Sequence, residues 1–482
     1  MLYLCNLKIP EISLNKFAVD IQTYKRFFSL LLSGKDIFFD KKEGYFFTEH
    51  SPSNSPISYP KIGIYIGNGS SHSWLWLVDL FEKYRLYDIA FIEGKEILED
   101  KLNTIDILIV SGGDTFAIGE EIGEVGSYKV KNFLEKGGSY IGICAGAYLM
   151  LSSSKIPLKF FNFSGGKIKN LTSAPPRPIN MSYKFSIPYG CQYVYHPVRG
   201  AVQIQSLRIP PFYRSDLIIS PIFGGGLITP SKDLTPLANF HSFTEDTVFL
   251  VNPEIASDIF FGSCAAVMKN YGDGMIFLYS PHFEHPTFPE GNNIIIDTIC
   301  YGIANTRRKD PVNKITLPSK LYQKIILKKI KSFLSNARII VYGLVNSQIY
   351  WKIGNKVWEA EKISFFIESI WKRINIIERS VSDFRIEPSE LSQIATLSSI
   401  VLNNLKKLKS EINKGSNSEE ESKTLFKSLT ELSSLFFKNY FKSKLDSTLK
   451  NVNTTFGKHT TASKTSVLTK QYTHRKTGKN YS

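Results

Sequence analysis

Tyr140-Ile-Gly-Ile-Cys144-Ala-Gly-Ala-Tyr148 is the stretch on which the reading of this chain turns. Tyr140 to Ile143 is a short apolar run that reads as a buried strand. A cysteine follows at once, flanked by small residues. Small neighbours let the backbone turn sharply from strand into helix, which exposes the side chain at the end of a sheet. A helix N-terminus there favours negative charge and lowers a thiol toward its reactive thiolate. The same turn offers the Ala145 N–H to an oxyanion. Cys144 is therefore the candidate nucleophile.

Upstream, Ile62-Gly-Ile-Tyr-Ile66 reads as a strand that runs into Gly67-Asn-Gly-Ser-Ser71. A helix is predicted over Trp74–Tyr84, strands at 89–92 and 105–110, and a helix at about 125–136. The third strand ends at Ser111-Gly-Gly-Asp-Thr115. Strands alternating with helices predict a parallel sheet with helices on both faces, with its site at the carboxyl ends of the strands. Gly112 and Gly113 permit close backbone approach to a substrate oxygen, and Asp114 and Tyr148 border the expected pocket.

Downstream, residues 155–250 read as irregular and β-rich, with a break at Gly224-Gly-Gly226. A hairpin is predicted around Asn270-Tyr-Gly-Asp-Gly274. Ser280-Pro-His-Phe-Glu284 follows it, and Asn292–Tyr301 reads as a closing helix. A thiolate needs an oriented base. His282 and Glu284 are two apart in extended chain, so both can point one way, and Glu284 can fix the imidazole tautomer. Taken singly, His282 reads equally well as a turn histidine beside Pro281, and Glu284 as a solvated carboxylate. His285 is the fallback base or a structural residue. His72 reads as an exposed loop histidine that could line the pocket. His196 has no nameable partner, and Cys191 and Cys264 read as small residues in β structure.

Ser111-Gly-Gly-Asp114, then Gly137-Gly138 and the Cys144 turn, then Ser280-Pro-His282-Phe-Glu284, resemble in that order the class I glutamine amidotransferase superfamily. Ile64-Tyr-Ile-Gly-Asn-Gly-Ser-Ser-His-Ser73, Gly224-Gly-Gly226 and Leu237-Ala-Asn-Phe240 make the resemblance closer to the N-terminal domain of biotin–protein ligases, over about residues 61–303. The resemblance implies an α/β, flavodoxin-like sheet. It implies Cys144 as nucleophile, His282 as base, Glu284 as its orienter, and Gly113 and Ala145 as oxyanion donors. Biotin ligases carry a Gly-Arg-Gly-Arg-type loop. Only Arg199-Gly200 stands here, so no ligase catalytic domain and no biotinylation are expected.

The formal net charge is +16. Residues 1–306 hold 26 Lys+Arg against 29 Asp+Glu, whereas residues 307–482 hold 33 against 14. The excess belongs to the C-terminal part. It predicts either a solvated helical face or an anionic partner: RNA, an acidic protein or a membrane surface. A stripe of Ile394, Leu397, Val401, Leu405, Leu408 and Ile412 predicts a helix there, with another over Leu425–Phe441. The division expected is an N-terminal extension at 1–57, the α/β domain at 58–306, a mostly helical basic region at 307–450 and a disordered basic tail at 451–482.

Five cysteines at 5, 144, 191, 264 and 300 form no CxxC pair, so no disulfide framework and no metal site is expected. No cofactor is expected. Charged residues break any leader-like core in the first 30 residues, and no apolar run reaches the roughly 18 residues of a membrane span. A cytoplasmic protein is expected. The function expected is a Cys-dependent amidase or amidotransferase-like hydrolase acting on a C–N amide bond of a small molecule. The rival is a non-catalytic small-molecule-binding or regulatory module with a basic helical interaction region.

Overall fold

The computed structural model describes residues 3–4, 7–8, 12–13, 21–40, 45–47, 56–169, 197–209, 211–212, 216–224, 227–304, 320–347, 349–379, 384 and 386–471. His196, Cys5, Cys191 and two of the three glycines at 224–226 lie outside them.

In chain order, the elements that build and frame the site begin with β1 (Ile62–Tyr65), α1 (Trp74–Tyr84), β2 (Ile89–Ile92), β3 (Ile107–Val110), α2 (Thr115–Glu135), β4 (Ser139–Ile143) and α3 (Ala145–Leu149). They continue with β5 (Val198–Ser206), β6 (Leu217–Ile222), β7 (Thr235–Phe249), β8 (Cys264–Tyr271), β9 (Gly274–Tyr279) and α4 (Pro289–Ile303). The strand order across the main sheet is β6-β5-β7-β8-β9-β4-β3-β1-β2, with two short strands off that path at 167–169 and 227–229.

From β9 to β2 neighbouring strands run parallel. From β6 to β9 they run antiparallel. The parallel sheet expected from the sequence is thus one half of a mixed sheet. The β8–β9 hairpin, turning at Gly272 (φ +60°), reverses the chain. Everything added beyond β8 follows in antiparallel register. Strands β1, β3, β4 and β9 are buried along their whole length, which is why they read as unbroken apolar runs rather than as alternation.

Helix α2 starts ten residues before its predicted position. Asp114 caps it, accepting from the Phe116 and Ala117 amides. Gly123 (φ +64°, ψ −172°) interrupts the helix, so the helical pattern is clean only beyond it. The N-terminal helix Ile21–Leu32 packs on the α/β domain: Tyr24 donates to Asp297 of α4 and meets Tyr84 edge-on at 5.5 Å.

The C-terminal region contributes α5 (Lys320–Asn346), a hairpin of β10 (Tyr350–Ile353) and β11 (Lys356–Glu359), α6 (Ala360–Arg379), α7 (Pro388–Asn413) and α8 (Glu419–Gln471). The apolar stripe on α7 is a core seam, with Ile394, Val401, Leu405 and Leu408 buried. Helix α8 continues past residue 450 to Gln471, and residues 472–482 lie outside the described chain. Among the described residues no helix is long and apolar enough to cross a membrane.

These helices dock on α1. Arg373 of α6 is fully buried and pairs with Asp79 at 2.7 Å and Glu82 at 2.8 Å. Its guanidinium lies over Phe437 and Tyr440, and Tyr440 donates to Glu82. Two carboxylates and two ring faces compensate a charge that would otherwise be costly to bury. Trp74 adds edge contacts to Phe366 and Phe437.

Candidate active site

Adjacent strands β9, β4, β3 and β1 each end in a loop that supplies part of one site. After β4 comes Cys144, with φ +51° and ψ −108°. A non-glycine residue held there is strained, and the surroundings must enforce it. The Cys144 amide donates to Tyr279 O at 2.8 Å, and its carbonyl accepts the Ala147 and Tyr148 amides. The flanking glycines are dictated by space. A Cβ on Gly146 would be driven into the Val110 carbonyl, and one on Gly142 would sit 2.5 Å from Gly146 O.

Helix α3 is only five residues long, so a helix dipole adds little to the thiol. The charge acting on it comes from the loop after β9. That loop is fixed by His282 N donating to Pro221 O at 2.9 Å and by the Asn292 amide side chain donating to the Phe283 and His285 carbonyls. The His282 ring hydrogen-bonds the Cys144 thiol. Its Nδ1 donates to Glu284 Oε1 at 2.8 Å. Glu284 is fully buried and also accepts from the Ser111 hydroxyl at 2.9 Å, which in turn meets Ser73 Oγ at 2.8 Å.

Burial alone would raise the Cys144 thiol. The His282 charge and its hydrogen bond outweigh burial and pull the thiol down, Lys356 adding to the pull and Glu284 opposing it. Burial likewise works against a charged His282 ring. The Glu284 carboxylate and the Cys144 sulfur outweigh it and push the ring up to about 10. Each charge thus favours the other, a thiolate beside an imidazolium. Burial and the nearby His282 charge hold His285 down at about 4, so it is neutral at pH 7. Its ring packs on Trp76 at 4.5 Å instead of approaching a carboxylate.

Gly112 and Gly113 do different jobs. A Cβ on Gly112 would stand 2.6 Å from the His282 ring, so this glycine makes room for the imidazole. Gly113 bridges Ser70, with Ser71 N donating to Gly112 O at 2.9 Å and Asp114 N donating to Gly69 O at 2.7 Å. The alternation of that bridge turns the Gly113 N–H the other way. Gly113, Ala145, Cys144 and Tyr148 all line one cavity of about 700 Å³. Asp114 also lines it, but its oxygens are occupied: Oδ1 caps α2, and Oδ2 accepts the Asn355 amide at 2.8 Å. His72, read from the sequence as exposed, is buried and stacks on Phe365 of α6 at 4.8 Å, because the C-terminal helices cover its loop. Burial and the neighbouring Lys362 charge hold it well below the usual histidine range.

The stretch 61–298 matches the family model described as biotin-protein ligase, N terminal. Those residues form a domain of the biotin–protein ligase N-terminal family. A curated, uncharacterised protein of Chlamydia muridarum is 23% identical over 220 residues, which span 44% of this chain and 74% of that protein. Among solved structures, an exo-β-1,4-mannosidase from an Opitutaceae bacterium (10% identity, TM-score 0.28) covers 51% of this chain. A β-galactosidase from Rahnella sp. R3 (9% identity, TM-score 0.30) covers 54% of it. The chain spans 35% and 33% of those two enzymes, and overlaps so poor carry no argument.

Three residues around this biotin–protein ligase N-terminal domain escaped the sequence reading. Ser111 lay in the quoted Ser-Gly-Gly-Asp turn without an assigned role. Ser73, in the opening loop, extends the same hydrogen-bond chain. Lys356, from the C-terminal hairpin, lines both the large cavity and a recess of about 20 Å³ beside His282. The Gly354-Asn355 pair between two apolar-patterned runs is a hairpin signal. Nothing in it says where the hairpin docks.

Proposed function

We propose that this domain is a Cys-dependent amidase or amidotransferase-like hydrolase in which Cys144, His282 and Glu284 act as a triad. One observation carries the reading. A strained, buried cysteine faces an imidazole whose far nitrogen donates to a buried carboxylate. The Cys144 thiolate attacks the carbonyl carbon of a C–N amide. The carbonyl π pair moves to oxygen, where the Gly113 and Ala145 N–H groups receive it. As the C–N bond breaks, the imidazolium of His282 gives its proton to the departing amine, leaving a thioester and a neutral ring. His282 then takes a proton from water, or from an accepting amine, as that nucleophile attacks the thioester and the thiolate leaves. Glu284 keeps the imidazole in one tautomer and stabilises its charged form. The rival reading, a pocket kept for binding alone, gives no reason for a depressed thiol on a strained turn.

Alkylation by iodoacetamide, followed by mass spectrometry across pH, tests the proposal. Cys144 is expected to react with a pH midpoint well below the ~8.5 of an ordinary thiol. Cys264, whose thiol burial pushes up, serves as the internal reference. A Cys144 that reacts no faster than Cys264 removes the nucleophile and the proposal with it.

A further inference from the structure

The cavity at Cys144 is closed on one side by the C-terminal hairpin. At its tip Gly354 adopts φ +59°, and a Cβ there would stand 2.9 Å from Asp114 Oδ2. The Asn355 amide donates to that same oxygen at 2.8 Å. A carboxylate that already caps α2 therefore clamps the hairpin tip. At the hairpin's other end, Val357, Trp358 and Glu359 are buried, and the buried Lys362 ammonium donates to Val357 O at 2.9 Å and pairs with Glu359 at 2.8 Å. Fixed from both ends, β11 presents Lys356 to the cavity and to the recess, both of which reach Cys144.

Lys356 is half-buried, and among the described residues no carboxylate stands within ion-pair distance of it. A partly desolvated ammonium with no carboxylate paired to it favours a further anion beside it. Around it stand Lys362, whose charge is paired with Glu359, the neutral His72, the His282 ring paired with Glu284, and the Cys144 sulfur, on which Lys356 itself acts. Asp114, the carboxylate of the cavity wall, has both oxygens engaged. Three further lysines, Lys155, Lys159 and Lys167, line the same cavity.

Building on the Cys144 reading, we infer that the substrate is an anionic amide. Its carboxylate or phosphate group pairs with Lys356 and so sets the neighbouring carbonyl over the sulfur. The C-terminal region thereby supplies a substrate-binding residue to the site of the α/β domain.

The test compares the rate constants for alkylation of Cys144 by iodoacetate, an anion, and by neutral iodoacetamide, in the full chain and in Lys356→Met and Lys356→Arg. In both reactions the thiolate forms an S–C bond and iodide leaves, so the thiolate fraction cancels in the ratio. The iodoacetate-to-iodoacetamide ratio is expected to exceed that of the same cysteine in the urea-unfolded chain. It should fall roughly fivefold in Lys356→Met, the factor that about 1 kcal/mol of ion pairing gives, and persist in Lys356→Arg. Succinate and inorganic phosphate are then tried as protectants against iodoacetamide. Protection by succinate assigns a carboxylate, and protection by phosphate a phosphoryl group. A ratio unchanged in Lys356→Met overturns the inference, even if both absolute rates change, because Lys356 would then only tune the thiol. Loss of iodoacetamide reactivity in the unmodified chain would instead strike the nucleophile reading.

Discussion

Cys144 and Lys356 face one cavity, yet they arrive there by opposite routes. Cys144 is held by its immediate neighbours: the strand before it, the glycines around it, and a positive φ that the turn imposes. Lys356 is held by distant ones. Its hairpin is clamped by a carboxylate more than two hundred positions earlier, and the helices behind it dock through Arg373. The contrast teaches that a site can be chemically local on one wall and assembled by docking on the other. The local wall leaves a signature in residue types at short spacing. The docked wall leaves none.

The comparison breaks most visibly if the docked wall can be loosened without cost. Arg373→Ala leaves Glu82 without its counter-charge, leaves Asp79 only the exposed Lys372 at 3.4 Å, and empties space under Phe437 and Tyr440. A loss of about 3 kcal/mol is expected in urea unfolding. A midpoint that does not move would mean the two regions are not coupled through this residue.

The local wall is tested by His282→Ala. Without the imidazolium, burial works against the thiolate with only Lys356 opposing it, so the thiol rises and the thiolate fraction at pH 7 falls. Alkylation of Cys144 at pH 7 should slow accordingly, and its pH midpoint should move upward. The sign also fixes a stability signature. A histidine raised to about 10 contributes stability that is fully present below the unfolded value near ~6.5. That contribution is lost as pH rises through 10, so removing His282 should flatten the alkaline decline of the melting temperature.

The smallest effect sharpens the boundary between the walls. Ser111→Ala removes one of the two donors to Glu284 Oε1. It should cost about 1 kcal/mol in unfolding free energy. The pH midpoint of Cys144 alkylation should move only slightly, since His282 stays paired. A shift as large as that of His282→Ala would assign the orientation of the ring to the serine chain.

How much was legible follows the same division. The strands β1, β3, β4 and β9 were readable because burial on both faces writes continuous apolar runs. The turn at Cys144 was readable because only small residues fit beside it. His282 and Glu284 were readable as a pair two apart, but the extended chain expected there is a turn, closed by His285 N donating to His282 O at 3.1 Å. The start of α2 was not, since Gly123 interrupts its pattern and the cap at Asp114 resembled a site residue more than a helix signal. His72 was misplaced as exposed. Its burial depends on Phe365, nearly three hundred residues on, and no local pattern reports that contact. Lys356 sat in a recognisable hairpin, but docking decided its destination.

The manner in which Trp74 is enclosed has a practical outcome. Its ring is walled by Phe91 from the sheet's edge strand and by Phe366 and Phe437 from the helices. Severing the polypeptide between α4 and α5 and discarding the later piece would strip two of those three walls and leave the indole facing solvent. A shortened version ending there should therefore be sticky and should emit red-shifted tryptophan fluorescence. The natural cutting point suggested by sequence similarity is not a good place to cut.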